Sequence, residues 1–232
     1  THNLWKIDSS NHLSQIADYF KTIPALYIAD GHHRAAAASR VQKIREDSNF
    51  QHKGDEAYNY FLSVIFPHDE IKIMGYNRLV KDLNGLTEEQ FLSSVESNFS
   101  IIPLIDPQPP NSSNNYSMFL NDRWYNLKTN NSLKSNDPIE GLDVSILQNH
   151  LLNPILGIEN PRTNNRIDFV GGIKGLNELE RRCRLDAKVA FALHAVSTEE
   201  LLSVADADQV MPPKSTWFEP KLRSGLVVRV LD

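Results

Sequence analysis

The chain lacks the covalent and membrane-embedding features of several large protein classes. It has one cysteine, Cys183, among 232 residues, which excludes an intrachain disulfide framework. No apolar run approaches the ~20 residues that a membrane-spanning helix needs, so we expect no membrane partner and take the cytoplasm as the default location. Acidic residues outnumber basic ones by 29 to 24, for a net charge of −5, and this balance argues against nucleic acid as a partner.

Common catalytic and metal-binding patterns are also missing. The chain contains no HExxH, CxxC, GxSxG or GxGxxG motif; these patterns mark zinc proteases, thiol or zinc sites, serine hydrolases and dinucleotide-binding folds. Cys183 follows Arg181 and Arg182 in a charged, helical stretch and has no activating partner that the sequence can name, so we interpret it as a structural thiol. We predict no metal site.

Length and composition are those of a globular protein with one large domain or two small ones. Strand-like and helix-like stretches are mixed without a regular β-α-β period, so we predict an α+β or mixed α/β fold. We treat residues 1–232 as one globular unit that divides into two subdomains, 1–105 and 116–232, at the proline-rich stretch 106–115. Because Thr1 is not a natural start, we expect an N-terminal part of the parent protein to be missing.

The most informative stretch is a predicted strand–turn–helix. Residues 25–29 are apolar or aromatic, as in a strand that is buried on both faces, and the alanines at 35–38 favour a helix. Free N–H groups and the helix dipole attract anions, phosphate especially, to a helix N-terminus. The residues at that N-terminus are Asp30, Gly31, His32, His33 and Arg34.

A purely structural explanation is available for parts of this turn. Asp30 would serve as the helix N-cap, and one histidine would only pack. A cap needs Asp30 alone and gives no reason for the His-His-Arg run, so we favour a functional site. Because adjacent helical residues diverge by about 100°, His32 and His33 are poorly placed to share a metal. One of them should face the site while the other packs inward.

A second unusual stretch runs from Met211 to Gly225 and contains three prolines, which stiffen it. Trp217 and Phe218 would anchor this loop, and Glu219 is a candidate catalytic base. The alternative is a solvated C-terminal loop that is held only by its aromatic residues. The cations and hydroxyls that suit a phosphate or carboxylate ligand are Lys214, Ser215, Thr216, Lys221, Arg223 and Ser224.

Two further groups are weaker candidates. One is a strand that leads into a Gly-Gly turn, with Arg166, Asp168, Gly171 and Gly172. Its spacing is not that of a P-loop, and we favour a structural role for the two glycines. The other group is Asn77 and Arg78, of which Arg78 has the alternative of pairing with a carboxylate.

With these residues in view, the chain resembles the domain of unknown function family 1015 of bacteria and archaea. The resemblance covers essentially all of the chain and rests on two long signatures, Tyr27–Arg34 and Met211–Gly225. It implies that the chain is the C-terminal half or more of its parent protein, and it hints at serine metabolism. Shorter pieces agree with it: Tyr76–Arg78, Asp143–Leu147, Pro154–Ile158 and Arg166–Gly172.

The turn is also similar to the Asp-Gly-His-x-Arg motif of the ParB and sulfiredoxin-like superfamily. This resemblance implies a ParB/sulfiredoxin-like core around the strand–turn–helix, with additional sheet and helices, and nucleotide binding at the turn. Gly31, His32 and His33 would meet the phosphates, and Arg34 would counter their charge. The cysteine of the sulfiredoxin motif is absent, so sulfiredoxin chemistry is not expected.

These interpretations lead to a nucleotide-binding enzyme, a kinase or nucleotide hydrolase that acts on a small metabolite related to serine, with Mg²⁺ accompanying the nucleotide. Asp30 would orient a histidine or hold Mg²⁺ through water. Asp30–Arg34 and Lys214–Ser224 should line one cleft. Two alternatives stay open: a non-catalytic nucleotide- or DNA-linked regulator of ParB type, which should show a basic face, and a phosphatase of a phosphorylated metabolite.

Overall fold

The structure is a computed structural model that describes residues 3–223 and 225–231. Two compact units divide the chain. The N-terminal unit comprises Thr1–Phe61 and Val230–Asp232, and the sheet unit comprises Leu62–Arg229. The proline-rich stretch 106–115 lies inside the sheet unit, where it connects two strands of one sheet.

Two helices form the main regular structure of the N-terminal unit. Helix α1, Ser10–Phe20, carries the apolar stripe that the sequence predicts, with Leu13, Ile16 and Phe20 on it. Helix α2, His32–Asp47, begins with the histidines and the alanine run. None of the described residues of this unit is buried.

The buried strand predicted before the turn is not formed. Residues 25–29 pair with no strand in the described part of the chain, and Leu26 is 59% exposed. An apolar run shows which side chains a strand could bury. The strand itself forms only where a neighbouring strand can hydrogen-bond to it. The predicted strand of the strand–turn–helix was therefore wrong, whereas the helix after it is confirmed.

The sheet unit contains two antiparallel sheets, and the mixture with helices confirms the α+β class. Strands β1, Lys72–Met74, and β8, Trp217–Glu219, form a two-stranded sheet. The larger sheet has six strands: β2, Tyr76–Val80; β3, Phe99–Leu104; β4, Asn115–Leu120; β5, Arg123–Thr129; β6, Ile167–Gly171; and β7, Val189–Leu193. Their order across the sheet is β3-β5-β4-β7-β2-β6.

Local sequence explains several of these elements. Strands β4 and β5 form a hairpin about Asn121 and Asp122, which have positive φ angles of 47° and 55°, as a two-residue turn between twisted strands requires. Helix α3, Glu88–Glu96, begins with a capping box in which Thr87 and Gln90 each accept a backbone N–H of the other. Such short-range signals place both elements where the sequence predicts them.

Helices cover both faces of the six-stranded sheet. Successive residues of β2 point to opposite faces, so Val80 packs with one apolar cluster and Leu79 with the other. The first cluster includes residues of α3, α4 (Asp143–Leu147) and α6 (Thr198–Asp206), and the second includes residues of α5 (Gly175–Leu185). No helix in the described residues combines the length and apolar character that crossing a membrane needs.

Candidate functional site

The turn before α2 is built on Gly31. Its φ of 88° is a left-handed conformation, which glycine adopts without steric cost, and it occupies the N-cap position of the helix. Asp30 does not cap the helix as the sequence predicts, because its Oδ1 accepts the Gly31 N–H at 2.7 Å and no side-chain cap is present. The carboxylate therefore stays beside the turn instead of closing the helix end.

The first turn of α2 keeps hydrogen-bond donors available. The N–H groups of Arg34 and Ala35 donate to Gly31 O at 2.9 and 3.0 Å, whereas those of His32 and His33 have no recorded acceptor in the described residues. The Arg34 side chain folds back over the glycine, since a Cβ on Gly31 would lie 3.1 Å from Arg34 Nη2. Two amides and a guanidinium thus meet at the positive end of a helix dipole.

Both histidines of the turn are exposed. The predicted division of roles, with one ring facing a site and the other packed inward, is not seen, because neither ring packs into a core. Within the described residues, no group of three His, Cys, Asp or Glu side chains could hold a metal ion. Asp30 supplies one exposed carboxylate at the turn, and one carboxylate together with phosphate oxygens and water is a donor set that Mg²⁺ accepts. The turn therefore fits Mg²⁺ that arrives with a nucleotide.

The loop between Met211 and β8 is anchored in the sheet unit, and its hydroxyls differ in exposure. Ser215 is buried, and its Oγ donates to Pro212 O. Thr216 is half-buried, whereas Lys214 and Arg223 are exposed. Lys214 has a φ of 57°, and its Nζ lies 3.5 Å from the hydroxyl of Tyr76. The predicted ligand Ser224 lies outside the described residues.

At the end of this loop, the Glu219 carboxylate accepts hydrogen bonds from both Trp217 and Lys221. Glu219 Oε1 accepts the Trp217 Nε1–H at 2.8 Å, and Glu219 Oε2 accepts the Lys221 N–H at 3.1 Å. Lys221 Nζ lies 5.1 Å from the centre of the Trp217 ring. Both carboxylate oxygens of the candidate base therefore take part in the structure of the loop.

Asn77 and Arg78 lie in the interior of the sheet unit. Asn77 Oδ1 accepts the Leu193 N–H at 3.2 Å, which ties β2 to β7. Arg78 is only 4% exposed, donates to Tyr76 O and lies 5.4 Å from the centre of the Phe169 ring. Burial lowers the pKa of Arg78 to about 10, so it stays charged at neutral pH. The carboxylate pairing considered for it has no counterpart among the described ion pairs.

The Gly-Gly candidate group has close structural partners. Arg166 Nε donates to Asp82 Oδ2 at 2.9 Å, and this bonding lowers the pKa of the Asp82 carboxyl. Asp168 Oδ2 accepts from Arg182 Nη2 at 2.7 Å. A Cβ on Gly171 would lie 2.5 Å from the Trp217 indole, and one on Gly172 would lie 2.8 Å from Gly75 O. The two glycines let the loop and the β1–β2 connection lie close to β6.

Two groups of residues were missed by sequence reasoning. Tyr76 and Trp217 contact edge to face with ring centres 5.4 Å apart, beside Lys214. Asp143, at the first turn of α4, is a buried carboxyl beside a cavity of about 10 Å³ that His194 and Glu200 also line. No short-range signal identifies either group, because each joins elements that are distant in sequence. The half-buried Cys183 thiol, whose pKa burial raises to about 12, has the properties of a structural thiol.

The predicted residues thus form two groups in different units. Asp30–Arg34 belongs to the N-terminal unit, whereas Lys214–Lys221 and the residues of β2 and β6 belong to the sheet unit. The single cleft that would join them stays a prediction.

Comparison with known proteins gives one family match and several distant likenesses in structure. A family model described as "Protein of unknown function (DUF1015)" matches residues 1–145. No curated protein matches the chain. Among solved structures, free serine kinase in complex with AMP is 14% identical, with a TM-score of 0.45, and the match covers 91% of this chain and 81% of that one.

Two other structures show likeness at a similar level. A mutant of free serine kinase in complex with ADP is 16% identical, with a TM-score of 0.43 and coverage of 91% and 81%. A conserved hypothetical protein from Pyrococcus furiosus is 13% identical, with a TM-score of 0.42 and coverage of 85% and 72%. Scores of this size leave the correspondence of individual residues undefined.

Proposed function

Because this chain belongs to the family of proteins of unknown function DUF1015, whose description assigns no chemistry, we propose a function from the turn itself. The turn before α2 binds the phosphates of a nucleotide, and the protein transfers a phosphoryl group to a small metabolite or hydrolyses the nucleotide. One observation carries the proposal: the amides of His32 and His33 and the Arg34 guanidinium converge on the start of a 16-residue helix. That combination of donors and dipole suits phosphate.

The roles of the residues follow from what phosphoryl transfer requires. The reaction needs alignment and neutralisation of charge more than covalent help from the protein. The two amides would hold phosphate oxygens, and Arg34 would counter their charge. Asp30 would bind Mg²⁺ through water or orient His32 or His33, and those histidines are the nearest groups that could move a proton.

The loop residues complete the proposal. Lys214, Lys221 and Arg223 would add positive charge, together with the hydroxyls of Ser215, Thr216 and Ser224, and Glu219 is the candidate base for an acceptor hydroxyl. As acceptor we propose serine or a related hydroxy compound, because the resemblance to family 1015 hints at serine metabolism. A ParB/sulfiredoxin-like core around the turn is part of the same proposal.

Calorimetric titration with ATP, ADP and CTP in the presence of Mg²⁺ tests the binding step. Arg34→Ala should weaken nucleotide affinity by about 10- to 100-fold, because a hydrogen bond to a charged group contributes roughly 1.5–3 kcal/mol. Arg40→Ala is the matched control, since Arg40 is an exposed arginine of the same helix and lies beyond its first turn. It should bind nucleotide as the unaltered chain does.

Turnover is tested separately, by following nucleoside diphosphate formation with and without serine. Serine-dependent formation that Arg34→Ala removes supports a kinase, and serine-independent formation supports a hydrolase. Equal nucleotide affinity of the Arg34 and Arg40 variants would show that the turn is only a helix start. Binding without any turnover would favour the regulator of ParB type.

A further inference from the structure

A cluster of aromatic and positively charged side chains surrounds Tyr76 in the sheet unit. The Tyr76 ring contacts Phe169 and Trp217 edge to face, with ring centres 6.0 and 5.4 Å away. Arg78 lies against Phe169, and Lys214 lies against Tyr76. We call these five residues the Tyr76 cluster. They come from β2, β6, β8 and the loop before β8, so folding assembles the cluster from three distant parts of the sequence.

Arg78 supplies a buried charge with little compensation. It is 4% exposed, and its recorded contacts are the Tyr76 carbonyl and the Phe169 ring, with no carboxylate among the described residues. A guanidinium has five N–H donors, and a buried charge without an ion partner destabilises a fold. A residue that destabilises the free protein in this way is best explained by an anion that arrives later.

Lys214 and Tyr76 supply two donors in the same cluster. Lys214 is exposed, and its Nζ is 3.5 Å from Tyr76 Oη. Two donors at this spacing can both reach the oxygens of one phosphate or carboxylate group, as charge-assisted hydrogen bonds do. Lys214 has a left-handed backbone conformation, with φ at 57°, which is unfavourable for a lysine and indicates that the loop holds this side chain in place.

The acidic residues near the cluster are recorded in no ion pair with Arg78 or Lys214 within the described residues. Asp168, the neighbour of Phe169, pairs with Arg182. The Glu219 carboxylate accepts the Trp217 indole N–H and the Lys221 backbone N–H. Both of these donors are neutral, so the charge of Glu219 remains beside the two positive side chains of the cluster.

We propose that Lys214 and Tyr76 bind one small oxyanion, a phosphate or carboxylate group, in the cluster that also holds the buried charge of Arg78. The inference rests on the proposed function in one respect, since we take the anion to belong to the acceptor of the phosphoryl group. Lys214 Nζ and Tyr76 Oη donate to the anion directly. Arg78 attracts the anion electrostatically, and this attraction is strong because the surroundings of Arg78 have a low effective dielectric constant.

Anion titrations of the full chain without nucleotide test this site. Inorganic phosphate and acetate are added at constant ionic strength, with chloride as the reference salt, and Trp217 fluorescence is followed. Saturable quenching or enhancement by phosphate, acetate or both is expected, and the stronger of the two identifies the chemistry of the anion. Trp217→Phe should remove the signal, since it leaves only Trp5 and Trp124 as reporters.

Variants then separate a binding role from a packing role. Lys214→Asn keeps a residue that tolerates positive φ, and Tyr76→Phe keeps the ring. Each should weaken anion affinity by about 10-fold or more, the effect of losing a hydrogen bond with a charged partner. Lys128→Asn is the control, because Lys128 is an exposed lysine of the same unit, in β5, and is not part of the Tyr76 cluster.

Arg78→Met provides the sharpest discrimination. If Arg78 serves anion binding, the variant should lose at least 10-fold in anion affinity, while its melting temperature stays the same or rises because an uncompensated buried charge is removed. If Arg78 serves packing, the variant should instead have a lower melting temperature. A lowered melting temperature, an absent saturable response, or an equal loss in Lys128→Asn would overturn the site. Failure here and failure of nucleotide binding are distinguishable, because the Trp217 response to anions is measured without nucleotide, whereas nucleotide affinity is measured by calorimetry.

Discussion

Asp143 shows how one buried carboxyl group makes stability depend on pH. Its side chain is 7% exposed, and Oδ1 accepts the Asn114 N–H at 2.7 Å. His194 and Glu200 line the adjoining cavity, whose roughly 10 Å³ suits about one water molecule. The pKa of the Asp143 carboxyl is raised to about 7, chiefly by burial; the Asn114 hydrogen bond lowers this pKa and the charge of Glu200 raises it.

The direction of this pH dependence follows from comparing the pKa of the Asp143 carboxyl in the folded and unfolded states. Unfolded, the Asp143 carboxyl has a pKa of about 3.9, so between about pH 4 and pH 7 the folded state holds a proton that the unfolded state has lost. The stability contributed by this group is complete below about pH 4. It falls as the pH rises through that window and is fully lost above about pH 7.

Asp143→Asn should therefore stabilise the chain at high pH. The amide keeps an oxygen that accepts the Asn114 N–H and cannot ionise, so the free energy of unfolding at pH 8 should rise by about 2–4 kcal/mol relative to the unaltered chain. At pH 4 the two should differ little. Urea unfolding across pH 4–8 measures the difference, and parallel curves for the two proteins would show that Asp143 is ionised in the folded state.

Asp137 is the control for that series. The N–H groups of Glu140 and Ile139 lower the pKa of its carboxyl, so its contribution has the opposite sign. It is present above the unfolded pKa and is lost as the pH falls through the folded one. Asp137→Asn should not stabilise the chain at pH 8.

The residue scale is also where sequence reasoning was least complete. An aspartate before an apolar helical run predicts a cap, and Asp143 does lie at the start of α4, but Leu142 occupies the N-cap position. What surrounds Asp143 is the segment that follows β7, including His194, and the start of α6 with Glu200. This environment of Asp143 depends on the tertiary structure, which no short sequence pattern encodes.

At the scale of elements, the loop that ends in β8 depends on its contact with β6. The Trp217 indole lies against Gly171, where a Cβ would be 2.5 Å from its ring. β8 pairs with β1 in the register Met74↔Trp217, and Phe218 is buried. The loop that carries Lys214 is therefore positioned by a glycine that is distant in sequence.

Gly171→Ala should displace this loop. The added methyl group overlaps the indole, so we expect a loss of about 1–3 kcal/mol in the free energy of unfolding and a shift in Trp217 fluorescence. Removing the obstacle with Trp217→Leu in the same chain should recover part of the loss, because the two effects share one contact. Urea unfolding of the two single variants and the double variant measures the coupling, and strictly additive losses would show that Gly171 does not act through Trp217.

Elements were predictable where their signals are local. The hairpin about Asn121 and the cap at Thr87 lie where turn and capping residues predict them. The apolar stretch 25–29 is strand-like in composition, and it pairs with no strand in the described residues. Pairing depends on a neighbour that composition does not reveal. The donors at the start of α2 were predictable for the opposite reason, since a helix N-terminus supplies them itself.

At the scale of the whole molecule, the two units differ in what stabilises them. The sheet unit holds both apolar clusters, and β7 is buried at every position between β4 and β2. The described residues of the N-terminal unit include none that is buried, so its helices depend on their own hydrogen bonds and on partly exposed contacts. Apolar content along the chain did not predict this difference, because Leu4, Trp5 and Phe50 are as apolar as core residues and lie exposed.

Amide hydrogen exchange should therefore divide the chain into a fast and a slow part. Local opening needs little free energy where few apolar contacts are lost, whereas opening of a central strand approaches global unfolding. We expect peptides from α1 and α2 to exchange at least 100-fold faster than those from β4 and β7, a difference of about 2.7 kcal/mol in the free energy of opening. Mass spectrometry of the full chain at one pH and temperature measures both sets together, and the α3 peptide, whose Phe91 and Val95 are buried, is the internal control for a packed helix. Protection of α2 equal to that of α3 would mean that contacts other than apolar burial hold the N-terminal unit, and the hydrogen bond from Arg45 to Leu231 O would be the first of these to remove by substitution.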